Sequence, residues 1–291
     1  MTPNNRGALF MVLAMAGFAV EDALIKGMGG ALPPGQIIAM LGAFGGLALL
    51  IVLRLRGVAL FPPETLSGPV ILRNLSEAFG TVCFVTALVK VDLATASAIL
   101  QATPLVVTLG AVLFLGETVG WRRWAAMSVG FLGVLVILRP GMAGFDPAAL
   151  WAVGGMLGLA FRDLATRRVP ASMDSLQLSF QAFALLVPVG LALSVTSGLA
   201  PLTPTLLGTV ALCATIGLFA YWTIVSAMRL GDVSYVTPFR YSRMVFALFI
   251  GIGIFGERPD LLTWLGIALI IGSGLYTFFR ERRVAAQSAT A

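Results

Sequence analysis

The chain has 291 residues, is 58% hydrophobic and only 11% charged, and has a mean hydropathy of +0.97. One soluble core cannot take in that much apolar side chain, so the sequence reads as an integral membrane protein with no soluble domain. Its formal charge of +6 reads as membrane topology rather than nucleic-acid binding. With no histidine and only two cysteines, it has no ligand set for zinc or haem and no histidine-dependent nucleophile.

A bilayer core of roughly 30 Å takes about 20 apolar helical residues per crossing. In chain order, apolar runs fall at about 8–27, 34–54, 69–89, 93–115, 121–138, 148–166, 175–197, 204–228, 233–255 and 261–279, ten in all. The breaks carry turn chemistry and charge, as in "GALPPG", "RPGMAGFDP" and "GERPD". The first run carries Glu21 and Asp22, is of full spanning length and precedes nine others, so it is expected to be a retained helix and not a signal peptide. Cys83 and Cys213 sit within runs as small apolar residues. Alternate connections hold eleven arginines on one side (6, 54, 56, 122, 123, 167, 168, 229, 280, 282 and 283) and Lys26, Lys90, Arg139 and Arg258 on the other. The positive-inside rule then puts both termini in the cytoplasm, here of a bacterial inner membrane.

Sliding the chain by 140 positions aligns Asp92 with Asp232, Gly116 with Gly256, Glu117 with Glu257 and Trp124 with Trp264; a shift of 141 aligns Asp22 with Asp163. Two five-helix halves follow, 1–145 and 146–291. Five being odd, the second half enters the membrane inverted, which puts Glu117 at the cytoplasmic face and Glu257 at the outer one. Inverted halves around a central cavity are a transporter signature. The "FLGE" and "IFGE" endings of the fourth and ninth runs, followed by the glycine-bearing "WAAMSVGFLGVLVILRP" and "WLGIALIIGSGLYTFF", resemble the drug/metabolite transporter superfamily, specifically its EamA-type exporters, with the aromatic amino-acid exporter branch the nearest in flavour. The resemblance covers essentially the whole chain. It implies helices one to four and six to nine around a cavity, with five and ten outside. The latter two lack charge beyond their first turn and carry small residues (Ser128, Gly130, Gly133; Gly266, Gly272, Gly274) that suit internal packing and a homodimer interface equally. Glu117 and Glu257 are expected to cap the first turn of the next helix, with gating as the alternative.

Eight ionisable residues lie inside the runs and more than two residues from their ends: Glu21, Asp22, Arg73, Glu77, Arg162, Asp163, Arg240 and Arg243. Facing lipid, each would cost about 2.5–3.5 kcal/mol, so they must face a cavity or each other. Arg73 and Glu77, four apart, are placed to pair on one helix. Arg162 and Asp163 are adjacent, about 100° apart, so one is expected to line the cavity and the other to touch a neighbouring helix. In the ninth run Arg240 and Arg243 share a face near mid-membrane beside Pro238, which should loosen the helix. Either arginine is suited to a substrate carboxylate, with Arg240 preferred; pairing with Asp163 or Glu77 is the structural alternative. Phe79, Tyr221, Trp222 and Tyr241 are candidates for an apolar substrate body. Gln101 is a hydrogen-bonding candidate on a polar stripe with Ser97, Pro104 and Thr108. Asp22, Glu77, Arg162 and Asp163 are candidates for salt bridges or proton transfer.

The function expected is secondary transport, by alternating access, that exports amino acids, aromatic or hydrophobic ones in the first place, or similar small metabolites. No Walker pattern is present, so the energy is expected from the solute gradient or protons, with no cofactor. A nucleotide-sugar or phosphorylated-metabolite antiporter is the alternative, opposed by the balance of buried charge. An intramembrane aspartyl enzyme built on Asp22 and Asp163 is the remote one.

Overall fold

A computed structural model describes residues 1–116, 118, 120–142, 144–230 and 233–289. They form α1 (Pro3–Met28), α2 (Pro34–Leu55), a 3-10 turn (Pro63–Leu66), α3 (Gly68–Lys90), α4 (Leu93–Leu100), α5 (Thr103–Leu115), α6 (Trp121–Leu138) and α7 (Ala149–Thr166). There follow α8 (Ser175–Ser197), α9 (Pro204–Leu230), α10 (Val233–Val236), a second 3-10 segment (Thr237–Tyr241), α11 (Ser242–Phe255) and α12 (Leu261–Ala289), with no β-strand among the described residues. Eight stretches are long and apolar enough to cross a membrane, two of them composite (Leu93–Leu115 and Thr237–Phe255), and Trp124–Leu138 is a shorter apolar helix. α7, with Arg162 and Asp163 in its 18 residues, is not among the eight.

Local chemistry sets the ends. α5 and α11, the "FLGE" and "IFGE" helices, each stop at a glycine in the left-handed region, Gly116 (φ 70°) and Gly256 (φ 65°), where a side chain would be strained. Asp174 and Gln177 close a reciprocal capping box on α8. Prolines cut two of the long runs. Pro104 cannot donate to Leu100, and the chain turns at Gln101–Ala102 while the Thr103 hydroxyl donates to the Leu100 carbonyl at 2.5 Å. Pro238 leaves residues 237–241 wound as a 3-10 helix.

The helices pack chiefly as α1 on α9, α2 on α8, α3 on α7 and α6 on α12. Small residues set the crossings: a Cβ on Gly158 would sit 2.5 Å from Gly80 Cα, one on Gly17 2.9 Å from Ala220 Cβ, and one on Gly133 2.8 Å from the Gly266 carbonyl. Gly133, Gly266 and Gly274 of α6 and α12 are thus taken up by packing within the chain. The two ends of the bundle differ. At the end holding Lys26, Lys90 and Leu93, α1 packs on α3 and α4 on α11. At the opposite, arginine-rich end, no comparable packing joins α7 to α9, or α5 to residues 233–241, among the described residues.

Candidate functional site

Of the eight intramembrane charges, six are paired. Arg73 meets Glu77 at 3.0 Å one turn along α3, as the spacing requires. The same carboxylate meets Arg162 of α7 at 3.1 Å, and Arg162 also holds Asp163 at 2.8 Å. Arg73 in turn donates to the Leu178 carbonyl of α8 at 2.9 Å. The expectation that Arg162 and Asp163 diverge is corrected. Their Cβ atoms leave the helix about 100° apart, but the long guanidinium stem folds back across that angle and grips its neighbour and Glu77 together.

Arg243 is the second correction. It does not pair with Asp163 or Glu77, nor is it free for a substrate: its guanidinium clamps Asp22 of α1 through contacts of 2.7, 2.9 and 3.1 Å. It lies between the rings of Phe18 and Phe84, 5.3 and 5.7 Å from their centroids. A two-pronged buried pair stacked on aromatic faces fixes α1 to α11.

Two charges remain, Arg240 and Glu21. Arg240 is exposed, and its guanidinium makes no hydrogen bond or ion pair among the described residues. Its charged neighbours are Asp163, Arg162 and Arg243. Arg240 lies on the 3-10 segment and Arg243 on α11, and the two arginines, three residues apart, have different fates. Gln101, at the break between α4 and α5, donates to the Arg240 carbonyl at 3.3 Å, so two interrupted helices meet where the unpaired cation stands. Ser97, one turn earlier, is buried with its hydroxyl unpartnered.

Glu21 escaped the sequence-based choice of site residues. Its carboxylate lies against Gly217 of α9 with no partner among the described residues, beside Asp22 and Cys213, and the Arg243 cation is the nearest compensating charge. The equal count of buried acids and bases suggested pairing; it could not show which acid is left over.

The aromatic candidates do not assemble. Tyr221 joins the cluster, its hydroxyl 3.3 Å from Ser179 Oγ and near Arg73. Trp222, about 100° further round α9, packs edge-on against Phe10 at 5.9 Å and tilted against Phe219 at 6.1 Å. Phe79 is two residues, or about 200°, from Glu77, and lies against Gly154 and Gly158 of α7. Tyr241 reaches the other way from Arg240 and rests its hydroxyl over Gly274 of α12.

Glu257 corrects the capping expectation. It is 7% exposed and caps not the following helix but α4: its oxygens accept from Leu93 N at 2.5 Å and Ala94 N at 3.1 Å. Lys26 lies 3.5 Å away and donates to the Val91 carbonyl at 2.6 Å. Positive charge on Lys26 and the N-terminal end of a helix dipole jointly hold the carboxylate. The following helix is capped by Asp260 instead, which accepts from Thr263 N at 3.0 Å and pairs with Arg139. Those contacts, the Arg139 hydrogen bond above all, pull the Asp260 carboxyl down to about 2. Glu117 lies outside the described residues.

A multi-pass helical bundle with interrupted helices around an unpaired internal charge defines a membrane transporter. Comparison with known proteins agrees. The profile of the EamA-like transporter family matches residues 5–139 and again 146–279, and the chain belongs to that family, within the drug/metabolite transporter superfamily. It is 30% identical to a riboflavin transporter of Rhizobium johnstonii over 95% of this chain and 92% of that one. It is 26% identical to an S-adenosylmethionine uptake transporter of Rickettsia prowazekii (73% and 72%) and 29% identical to a pseudopaline exporter of Pseudomonas aeruginosa (91% and 93%). One solved crystal structure, 21% identical, shares the fold with a TM-score of 0.63 over 96% of this chain and 98% of its own. The protein is a multi-pass small-molecule transporter and not an enzyme.

Proposed function

We propose that this protein is a secondary transporter for a small carboxylate-bearing metabolite, an amino acid or amino-acid derivative, with Arg240 as the carboxylate anchor. The observation that carries this is the unpaired guanidinium: among the described residues, Arg73, Arg162 and Arg243, the other arginines set well inside the spans, each have an acidic partner. An uncompensated cation in a membrane interior is costly unless a ligand or water meets it. A single free cation suits a monocarboxylate and not a phosphorylated polyanion. Gln101 and Tyr221 supply further polar contacts. Direction stays open, since the named relatives include both uptake and export proteins.

The mechanism is alternating access by two inverted five-helix halves, 1–145 and 146–291, making ten crossings with both termini in the cytoplasm of a bacterial inner membrane. The crossings support this. The 140–141 shift carries Gly80 onto Ala220 and Gly17 onto Gly158, so α3 on α7 and α1 on α9 are one contact used twice. The end closed by Glu257 is then the outer one, and the Arg240 cleft opens to the cytoplasm. Asp22, Glu77 and Asp163 are engaged by arginines, which leaves Glu21 as the acid for any proton coupling. Counterflow of labelled S-adenosylmethionine, aromatic amino acids and riboflavin in proteoliposomes tests the reading. Saturable exchange of a carboxylate-bearing solute that Arg240→Ala abolishes supports it; exchange of riboflavin alone, unchanged in the variant, overturns it.

A further inference from the structure

α6 and α12 touch at Gly133 and Gly266 and part further along, leaving a cavity of about 280 Å3 lined by Trp121, Arg122, Ala125, Val129, Gly272 and Tyr276. None of its lining residues belongs to the charged cluster. Its walls divide by chemistry. At the mouth, Arg122 stacks on Trp121, 5.4 Å from the ring centroid, and neither its guanidinium nor the Tyr276 hydroxyl has a hydrogen-bond or ion-pair partner among the described residues. Deeper in, the lining is alanine, valine and glycine with one serine, Ser273, and a Cβ on Gly272 would meet nothing within 4 Å. In sequence, residues 117–123 and 280–283 carry five arginines against Glu117 and Glu281.

We propose that this groove binds one anionic phospholipid, its phosphate between Arg122 and Tyr276 and its first methylenes along Ala125, Val129 and Gly272. Free cationic and hydroxyl donors at the ends of two membrane helices stand where lipid phosphates lie, with an aromatic ring at the same level. The volume holds a headgroup phosphate and the start of an acyl chain. A lipid seated here would bear on transport, because Gly274, two residues beyond Gly272, supports Tyr241 and with it the segment that presents Arg240. The proposal rests on the membrane embedding of α6 and α12 and not on the choice of substrate.

The test uses the full-length protein, delipidated in detergent and titrated with phosphatidylglycerol or phosphatidylcholine, with native mass spectrometry as readout and melting temperature as a check of folding. One phosphatidylglycerol per chain is expected, bound about tenfold better than phosphatidylcholine, with about a tenfold loss in Arg122→Gln and a similar loss in Gly272→Leu, which fills open space without touching charge. Arg54→Gln, which removes an exposed arginine of the same end elsewhere, is expected to change nothing. Equal binding of the two lipids, or the same loss in Arg54→Gln, would overturn the proposal. So would a two-chain species that Gly272→Leu dissolves, since that assigns the groove to a second copy.

Discussion

On the proposed repeat, the two ends of the bundle are built from corresponding pieces of the chain, and they do opposite things. At one end a single carboxylate, Glu257, gathers the first amides of α4 and the Lys26 ammonium, and α1, α3, α4 and α11 close over the centre. At the other, the corresponding pieces are α7, α9, α5 and 233–241; α7 keeps to α5, with Arg168 donating to the Phe114 carbonyl at 2.7 Å, but among the described residues no comparable packing joins α7 to α9 or α5 to 233–241, and an arginine faces the gap. A buried, charge-assisted contact between halves holds one end shut, and the end without such a contact among its described residues is where the unpaired cation is reached. The repeat maps Glu257, Lys26 and Leu93 onto Glu117, Arg167 and Val233, so the account expects the second set to act as the latch in the opposite state.

The largest effect is expected from breaking the clamp beneath the closed end. Asp22→Ala strands a buried guanidinium and should destabilise the protein by about 3–5 kcal/mol, read as a loss of folded protein in a thermal melt. Replacing Arg243 by Met in the same chain should restore much of it. Next, Arg240→Ala should weaken solute binding about 10–150-fold, the worth of a charge-assisted contact of about 1.5–3 kcal/mol, with the melting temperature unchanged because no internal partner is lost. A shift of the comparison itself comes from Glu257→Gln, which weakens the latch: thiol labelling at a cysteine placed near Leu93 should rise several-fold, while Glu117→Gln should lower it. Smaller still, Trp222→Ala and Phe79→Ala should leave solute affinity within about twofold, since neither reaches the cluster, whereas Tyr221→Phe should alter it. The smallest effect is at Asp260. Its carboxyl is held near 2 against an ordinary value of about 3.9, so its contribution to stability is present above pH ~4 and fades as pH falls towards 2; Asp260→Asn should remove that dependence from an acid melt.

Eight spans were legible because lipid demands long apolar helices, and so were the breaks at glycine and proline. Pro238 announced the 3-10 segment, and the i,i+4 spacing announced Arg73–Glu77. Pro104 carried the same signal for the turn at Gln101, which the unbroken apolar run from 93 to 115 concealed. What stayed hidden was long-range: Asp22 and Arg243 are 221 residues apart and Glu257 reaches 164 residues back to Leu93. A single sequence contains no term for such partners. The aromatic box failed for a local reason instead. Trp222 and Tyr241 each neighbour a candidate residue in sequence and Phe79 stands two from Glu77, but each step along a helix turns a side chain by about 100°.

The measurement that tests the central claim most directly is the accessibility of position 240. In a chain whose buried Cys83 and Cys213 are replaced by alanine, Arg240→Cys is treated in oriented membranes with a membrane-impermeant thiol reagent. The account predicts labelling from the side that carries the termini, and its suppression in a Glu257→Gln background that releases the opposite end. Labelling of position 240 from the Lys26 side alone, or from neither side, would contradict it.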